Sequence, residues 1–498
     1  MKSRRIHSGF FILLSFALIT NIAHGKTYKT ILSYIKQQQN SGALWRASWA
    51  VYAEYTDNGK TIINWNGSKN LIPASGMKLF TTAAALKILG EKTDFATKIY
   101  YDGTINDAGL LDGSLYIVGG GDPSLASTLM KNAAPLDSVM QQITQKIRNA
   151  GIANIKGGVY ADDLLFDGNP LPDNWVWSDI GNYYGARTSA LSVHDNLYFL
   201  RLKPGRRVGA EVTVVNIEPK IQGLTFINRL KTGSRGSGDH AYIYCAPGQY
   251  KARLEGTVPL GSAQFTIKGA MPDPALFFVR CLKYHLEGEG IKVGKKAKKI
   301  DKIRKYNRNK FIGRLNSPPL SEIVYWINKR SINLFAEQLL KMIAVKISGV
   351  GNIKNGVQAV EEFLEDIGIS IDGFQMDDGS GLSRTNTTNA KMVADLLRKM
   401  TIQPFFGAYY NSFSVAGNAM DDGVYKNFGT GTILQNNARL KSGTLYRIRS
   451  HSGYLRDRDG RLIAFSMIAN NYDGSISKID AIHKKIMLML AGLKMEKI

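Results

Sequence analysis

The sequence predicts an α+β chain whose first and last segments build one sheet-containing domain, with a long β-rich stretch hanging from it. Strand-like runs joined by hairpin turns occur near both ends. From about Ile99 to Gly290 the texture is instead short strands broken by Gly, Asp and Pro. A mainly helical part resumes near Ile312 with apolar residues at i, i+3, i+4 spacing. With 498 residues, 44% of them hydrophobic, two or three domains are expected.

Taken in order, the first 25 residues read as a secretory signal, so an exported, extracytoplasmic protein is expected, with membrane association left open. Lys2, Arg4 and Arg5 form a positive start, Phe10 to Ile22 a mostly apolar run too short for a membrane span, and Ala23-His24-Gly25 a small-x-small cleavage pattern. A short helix from Tyr28 to Gln39 follows. Strands Trp45 to Tyr55 and Lys60 to Trp65 are joined by Asp57-Asn58-Gly59, a strong hairpin signal. Pro73 ends an extended segment, Gly76 to Leu89 is rich in helix formers, and Gly90 supplies a stop. At the far end, Leu440 to Arg447, His451 to Leu455 and Arg461 to Asn470 read as strands, the last two joined across Asp459-Gly460. A helix from Ile476 to Leu493 closes the chain. No internal repeat suggests a solenoid.

The formal charge is +24, which favours anionic partners; for an exported chain these are envelope polymers or a membrane surface. The most basic segment, Lys292 to Lys310, lacks interleaved aromatics apart from Tyr306. It reads as a solvated connector, or as a contact to the anionic envelope, and no nucleic-acid partner is expected. Cys245 and Cys281 either pair in an oxidising compartment or stay free; spacing does not decide. The seven histidines are scattered without His-Glu-x-x-His, so neither a metal nor another cofactor is expected.

A serine nucleophile needs a base, because its hydroxyl is hardly ionised at neutral pH. Ser-x-x-Lys at a helix start supplies one: residues i and i+3 share a face, and burial makes a lysine lose its proton easily. Roughly two copies are expected by chance in a chain this long. Ser33–Lys36 and Ser475–Lys478 sit in amphipathic terminal helices, where solvated surface is sufficient explanation, whereas Ser75–Lys78 alone stands at a helix start after a Pro-Ala turn. Ser331-Ile332-Asn333 immediately precedes another helix, where either polar residue could serve merely as a cap. Lys441-Ser442-Gly443-Thr444 lies on a strand, where a cation and hydroxyls beside Gly suit a substrate carboxylate. The rival triplet Lys231-Thr232-Gly233 falls earlier in the Gly-rich middle and reads as an exposed loop.

Ser-x-x-Lys, Ser-Asp-Asn and Lys-Thr-Gly in this order mark penicillin-binding proteins and class A β-lactamases, and the chain carries close forms of all three. Together with "LIPASGMKLFTTAAAL", "GGGDPSL", "NWVWSDIGNYYGARTSAL", "RSINLFAEQLL", "DDGSGLSRTN" and "RLKSGTLYRIRSHSGYL", they make the chain resemble the low-molecular-mass class C penicillin-binding proteins, D-alanyl-D-alanine carboxypeptidases and endopeptidases with a large insertion. The long interval between Ser75 and Ser331 suits that insertion and not a β-lactamase. The resemblance implies a penicillin-recognising serine peptidase domain, an antiparallel sheet flanked by helices, from 26–98 and 313–498. It also implies an inserted mainly-β domain II at 99–123 and 215–312, and a domain III at 124–214 within it. It implies that Ser75 attacks a stem-peptide D-alanine carbonyl with Lys78 as base, that Ser331 relays a proton, and that Asn333 holds a substrate amide. Lys441, Ser442, Gly443 and Thr444 would bind the terminal carboxylate, and β-lactams would trap the acyl-enzyme. Asp179, Leu382 and Arg384 would form the pocket for the stem-peptide side chain. Ser442 and Ile332 replace the usual Thr and Asp, and "SFSVAGNAMDDG" matches its family segment only loosely. A non-catalytic peptidoglycan-binding relative and a β-lactamase are the competing readings.

Overall fold

In the computed structural model, which describes residues 29–494, both ends of the chain meet in one antiparallel sheet. Its six strands run in the order Ser414–Val415, Arg439–Leu445, Ile448–Arg456, Leu462–Asn470, Ser48–Tyr55 and Thr61–Trp65. The central pairing joins positions far apart in the chain, from Ser48 opposite Asn470 to Tyr55 opposite Ile463. The expected signal segment lies outside the described residues.

The sheet is covered on both faces, so its middle strands are almost continuously buried rather than alternating with polar residues. Trp49, Val51 and Ala53 pack with Ile31 and Ile35 of a helix at 29–40 and with Ile479 and Ile486 of the closing helix Ile476–Ala491. Ala50 and Tyr52, on the opposite face, meet Ala390 and Ala394 of the helix Ala390–Met400. Beyond that helix, Lys78–Ile88, Leu320–Arg330 and Asn333–Ser348 form an all-helical core around Phe80, Ile327, Phe335 and Leu339.

The inserted segment leaves along the strand Ala96–Tyr101 and returns along Phe311–Asn316, and these two pair with each other, Ala96 opposite Asn316. They form the edge of a five-stranded sheet with Leu115–Val118, Val159–Asp162 and Lys298–Lys299. Two further sheets, of three and four strands between Leu197 and Ala270, sit inside this unit. Val159–Asp162, expected within domain III, pairs with Leu115–Val118. Strand pairing therefore draws the chain as far as Asp162 into the outer sheet, past the boundary expected at 123/124. Strands this short in a Gly-rich stretch carry no local mark of their partners.

Two other expectations change, and the pairing left open between Cys245 and Cys281 is answered. Lys231-Thr232-Gly233 is a short strand rather than a loop, paired with Lys251–Pro259, and its Lys231 is exposed with Glu211 3.7 Å away. Cys245 and Cys281 are both free thiols. The basic segment is partly pinned down: Lys299 contacts Asp163 at 2.9 Å, Arg304 contacts Asp102 at 2.8 Å, and the Tyr306 hydroxyl donates to Asp162 at 2.7 Å.

The sheet and the turn carrying Ser75 meet at Gly443. A Cβ there would stand 2.2 Å from the Pro73 carbonyl oxygen and 2.5 Å from Ser450 Oγ, so only glycine fits. Gly443→Ala is expected to lower unfolding free energy by ~1–3 kcal/mol through overpacking. Gly407→Ala, in the helix Phe406–Asn411 with open space around it, should be neutral or slightly stabilising. Denaturant melts of both variants check this; equal stability would contradict the close approach.

Candidate active site

The Ser75 turn is held from several sides. The Asn470 side chain exchanges hydrogen bonds with the backbone of Ile72, at 2.8 and 3.0 Å, and Ser450 Oγ donates to the Pro73 carbonyl at 2.7 Å. Ala74 then adopts φ 48°, a left-handed conformation unusual for a residue with a side chain. Gly381, at φ +80°, leaves room for it: a Cβ there would lie 1.8 Å from the Ala74 carbonyl oxygen. Ala74–Met77 is a 3-10 turn, and the α-helix proper begins at Lys78, two residues later than expected. Ser75 is thus half-buried at the foot of the helix.

Lys78 is completely buried. Its Nζ donates to Ser75 Oγ at 2.9 Å, to Asn333 Oδ1 at 2.6 Å and to the Ser380 carbonyl at 2.6 Å. An ammonium has three donors, so every one is used, yet none meets a carboxylate. Burial consequently pulls its pKa down to about 7, partly opposed by the negative charges of Asp378 and Glu337. Near neutrality a large fraction of the amine is therefore free to accept a proton from Ser75.

Ser331 does not cap the following helix. It ends the preceding one in a left-handed conformation, φ 58° and ψ 42°. That geometry lets its hydroxyl accept from Lys441 Nζ at 3.0 Å. Asn333 opens the next helix and bridges two walls, accepting from Lys78 and donating through Nδ2 to the Tyr184 carbonyl at 2.8 Å. Lys441 is buried and also donates to the Ser442 carbonyl at 2.6 Å. Desolvation, then repulsion from Lys78 and Arg449, holds its pKa well below the ordinary lysine value. Thr444 lies exposed beyond Gly443, and Ser442 is half-buried.

Asp179 is buried on the insertion side, accepting from the Tyr184 hydroxyl at 3.3 Å. Burial raises its pKa against the opposing influence of Arg384, whose own side chain is exposed. Leu382 packs with Leu171 and Trp175, and Tyr184 and Leu445 flank the cluster. Several of the selected residues are neighbours: Lys78 meets Ser75 and Asn333, Lys441 meets Ser331, Gly443 packs on the Ser75 turn, and Tyr184 touches both Asn333 and Asp179, while Lys231, Ser33, Lys36, Ser475 and Lys478 lie exposed.

Several supporting residues were missed. Asp378 accepts from Gly381 and Ser383 backbone N–H, both at 2.6 Å, and from Trp175 Nε1 and Asn386 Nδ2, both at 2.8 Å. It shapes the loop that presents the Ser380 carbonyl and Leu382. Glu337, fully enclosed, receives Gly379 N–H at 3.1 Å and Ser380 N–H at 2.7 Å; burial and the neighbouring Asp378 raise its pKa. A signal existed: Asn333, Glu337 and Lys341 recur every four residues, a polar stripe on an otherwise apolar helix.

An antiparallel sheet between two helical layers, interrupted by β-rich insertions and bearing a serine beside a desolvated lysine, defines the penicillin-binding-protein class of α+β serine hydrolases. Comparison with known proteins narrows this. The model of the D-Ala-D-Ala carboxypeptidase 3 (S13) family matches residues 32–491. A D-alanyl-D-alanine carboxypeptidase of Actinomadura sp. (strain R39) is 30% identical over 434 residues, 84% of this chain and 77% of that protein. D-alanyl-D-alanine carboxypeptidase DacB of Haemophilus influenzae is 22% identical over 424 residues, 84% of this chain and 85% of its own length. The crystal structure of penicillin binding protein 4 from H. influenzae has the same fold, with a TM-score of 0.77 at 22% identity over 89% of this chain and 96% of that one. The chain belongs to the D-Ala-D-Ala carboxypeptidase 3 (S13) family.

The Lys78 environment sets a pH dependence. A base must be neutral to accept a proton, and this lysine becomes neutral as pH rises through about 7. The rate of benzylpenicillin acylation should climb about tenfold per pH unit below 7 and level off above it. Stopped-flow or quenched mass spectrometry between pH 5 and 9 measures this; a rate still climbing steeply at pH 9 would mean an ordinary, solvated lysine.

Proposed function

We propose that this protein is an exported serine D-alanyl-D-alanine carboxypeptidase and endopeptidase of peptidoglycan, acting through an acyl-enzyme on Ser75. The observation that carries the reading is the 2.9 Å contact between Ser75 Oγ and a lysine amine with no carboxylate partner. Lys78 takes the Ser75 proton as Oγ attacks the carbonyl of the penultimate D-alanine. The backbone N–H groups of Ser75 and Thr444 stabilise the oxyanion. Ser331, hydrogen-bonded to Lys441, relays to the departing amine, either free D-alanine or a cross-linking side chain, the proton that Lys78 took from Ser75. Asn333 orients a stem-peptide amide, and Lys441, Ser442 and Thr444 receive the terminal carboxylate. Water then releases the acyl group; a β-lactam stalls there because its leaving amine stays tethered. Export is supported by the basic, apolar and small-residue pattern of the first 25 residues.

Intact-protein mass spectrometry with benzylpenicillin and with a D-Ala-D-Ala pentapeptide tests the reading. Ser75→Ala should lose the covalent adduct, while Ser33→Ala and Ser475→Ala retain it. Lys441→Ala should acylate roughly ten- to a hundredfold more slowly, the worth of one charge-assisted hydrogen bond. Lys231→Ala should stay within a few-fold of wild type. A dead Lys231 variant beside a live Lys441 variant would overturn the motif assignment.

Asp179 marks the specificity pocket in this reading, with Leu382 as apolar floor and Arg384 at its rim. A raised pKa and a single neutral hydrogen-bond donor leave its carboxylate short of a strong partner, which suits the free amine of a stem-peptide side chain. Asp179→Ala should weaken cleavage of peptides bearing that amine by ~2 kcal/mol or more, and acylated peptides much less. Equal losses on both substrates would remove Asp179 from this role.

A further inference from the structure

The strand beside Lys441-Ser442-Gly443-Thr444 carries a buried cation that none of these motifs includes. Arg449 stands directly opposite Thr444 in the antiparallel register. Its side chain is only 11% exposed, against 29% for its ion-pair partner Asp480 on the closing helix. The pairing is two-pronged, Nε to Oδ1 at 2.7 Å and Nη2 to Oδ2 at 3.1 Å. Three N–H groups remain, and two of them make the following contacts. Nη2 also reaches the Tyr425 hydroxyl at 3.3 Å, and that phenol in turn interacts with the Ser442 side chain. Nη1 donates to Thr444 Oγ1.

A guanidinium only donates, and a threonine hydroxyl has one proton and two lone pairs. With a lone pair committed to Arg449, the Thr444 proton must point away from it, and Thr444 is exposed to solvent, where the proposed reading places the substrate. A carboxylate is acceptor-only, so a hydroxyl fixed as a donor matches it and mismatches a C-terminal amide N–H. We propose that Arg449 is a positioning residue that fixes the Thr444 hydroxyl as a hydrogen-bond donor to the substrate's terminal carboxylate, and so sets the enzyme's preference for a free C-terminus. Asp480 locks the guanidinium plane, which is why the fork and not charge alone is needed. This inference rests on the proposed reading of the Lys441 strand as the carboxylate site.

The test compares kcat/KM for one D-Ala-D-Ala peptide and its C-terminal amide. Arg449→Gln should cut the carboxylate-over-amide preference about tenfold while the amide itself reacts at nearly the wild-type rate. Arg449→Lys, which keeps the charge beside Asp480 but lacks the fork, should lose the preference to a similar degree; it serves as the folded variant if the glutamine protein melts early. Thr444→Val should lose the carboxylate-over-amide preference to a similar degree, Thr444→Ser should keep it, and adding Arg449→Gln to Thr444→Val should lower the preference no further. Full preference in Arg449→Lys, equal losses on both peptides, or additive effects in the double variant would each overturn the proposal. A wild-type protein that neither cleaves the peptide nor acylates at Ser75 would sink the functional reading itself. Wild-type acylation with unaltered preference in the Arg449 variants would sink only this inference.

Discussion

Burying the amine of Lys78 is the constraint around which the rest of the site is arranged. A solvated lysine would be fully charged near neutrality and useless as a base; a buried one paired with a carboxylate would be charged as well. Here three neutral oxygens satisfy it, from Ser75, Asn333 and the Ser380 backbone. Each oxygen comes from a different part of the fold. Holding the third requires the loop built around Asp378, which reaches across to Trp175 of the insertion. The second depends on a helix that begins only after Ser331 has turned the chain through a left-handed conformation. Anions do stand nearby, but Glu337 and Asp378 are consumed by backbone N–H groups and act on Lys78 only through the field.

The second cation obeys a different logic. Lys441 is buried beside Lys78 and Arg449, and of the three only Arg449 has a carboxylate in contact, that of Asp480. Burial beside two other cations discourages charge on Lys441, and in the proposed reading a substrate carboxylate restores it. In that reading, binding energy is concentrated on ligands that bring a negative charge to Lys441.

What could be read in the sequence was whatever is encoded within one turn or one hairpin. Ser75 and Lys78, the strand carrying Lys441, and the turns at Asp57-Asn58-Gly59 and Asp459-Gly460 all announce themselves through neighbours a few positions away. The family resemblance then assembled those pieces and supplied the penicillin-recognising fold. Features that depend on distant partners stayed hidden. Val159–Asp162 finds its strand partner across Leu136–Asn149, so its place could not be read from its own four residues. Lys231-Thr232-Gly233 looked like a loop because its partner, Lys251–Pro259, lies beyond two further turns. Arg449 gave no signal, since its meaning lies in Thr444 across the ladder and Asp480 on another element. The Asn333-Glu337-Lys341 stripe, by contrast, was open to view and simply not weighed.

The pairing of Ser48–Tyr55 with Leu462–Asn470 has a consequence for the time at which the enzyme comes into being. Ser75 and Lys78 are made early, yet the strands that press on their turn, Arg439–Leu445 and Ile448–Arg456, are among the last parts of the chain to be synthesised. During those intervening hundreds of residues the Ser75 turn has neither Gly443 against it nor Lys441 nearby. In the proposed reading, a chain still lacking these strands lacks both the buttress of the Ser75 turn and the cation of the carboxylate site. The order in which the sheet is written along the chain thus leaves the surroundings of the Ser75 turn to be completed by its last-made strands.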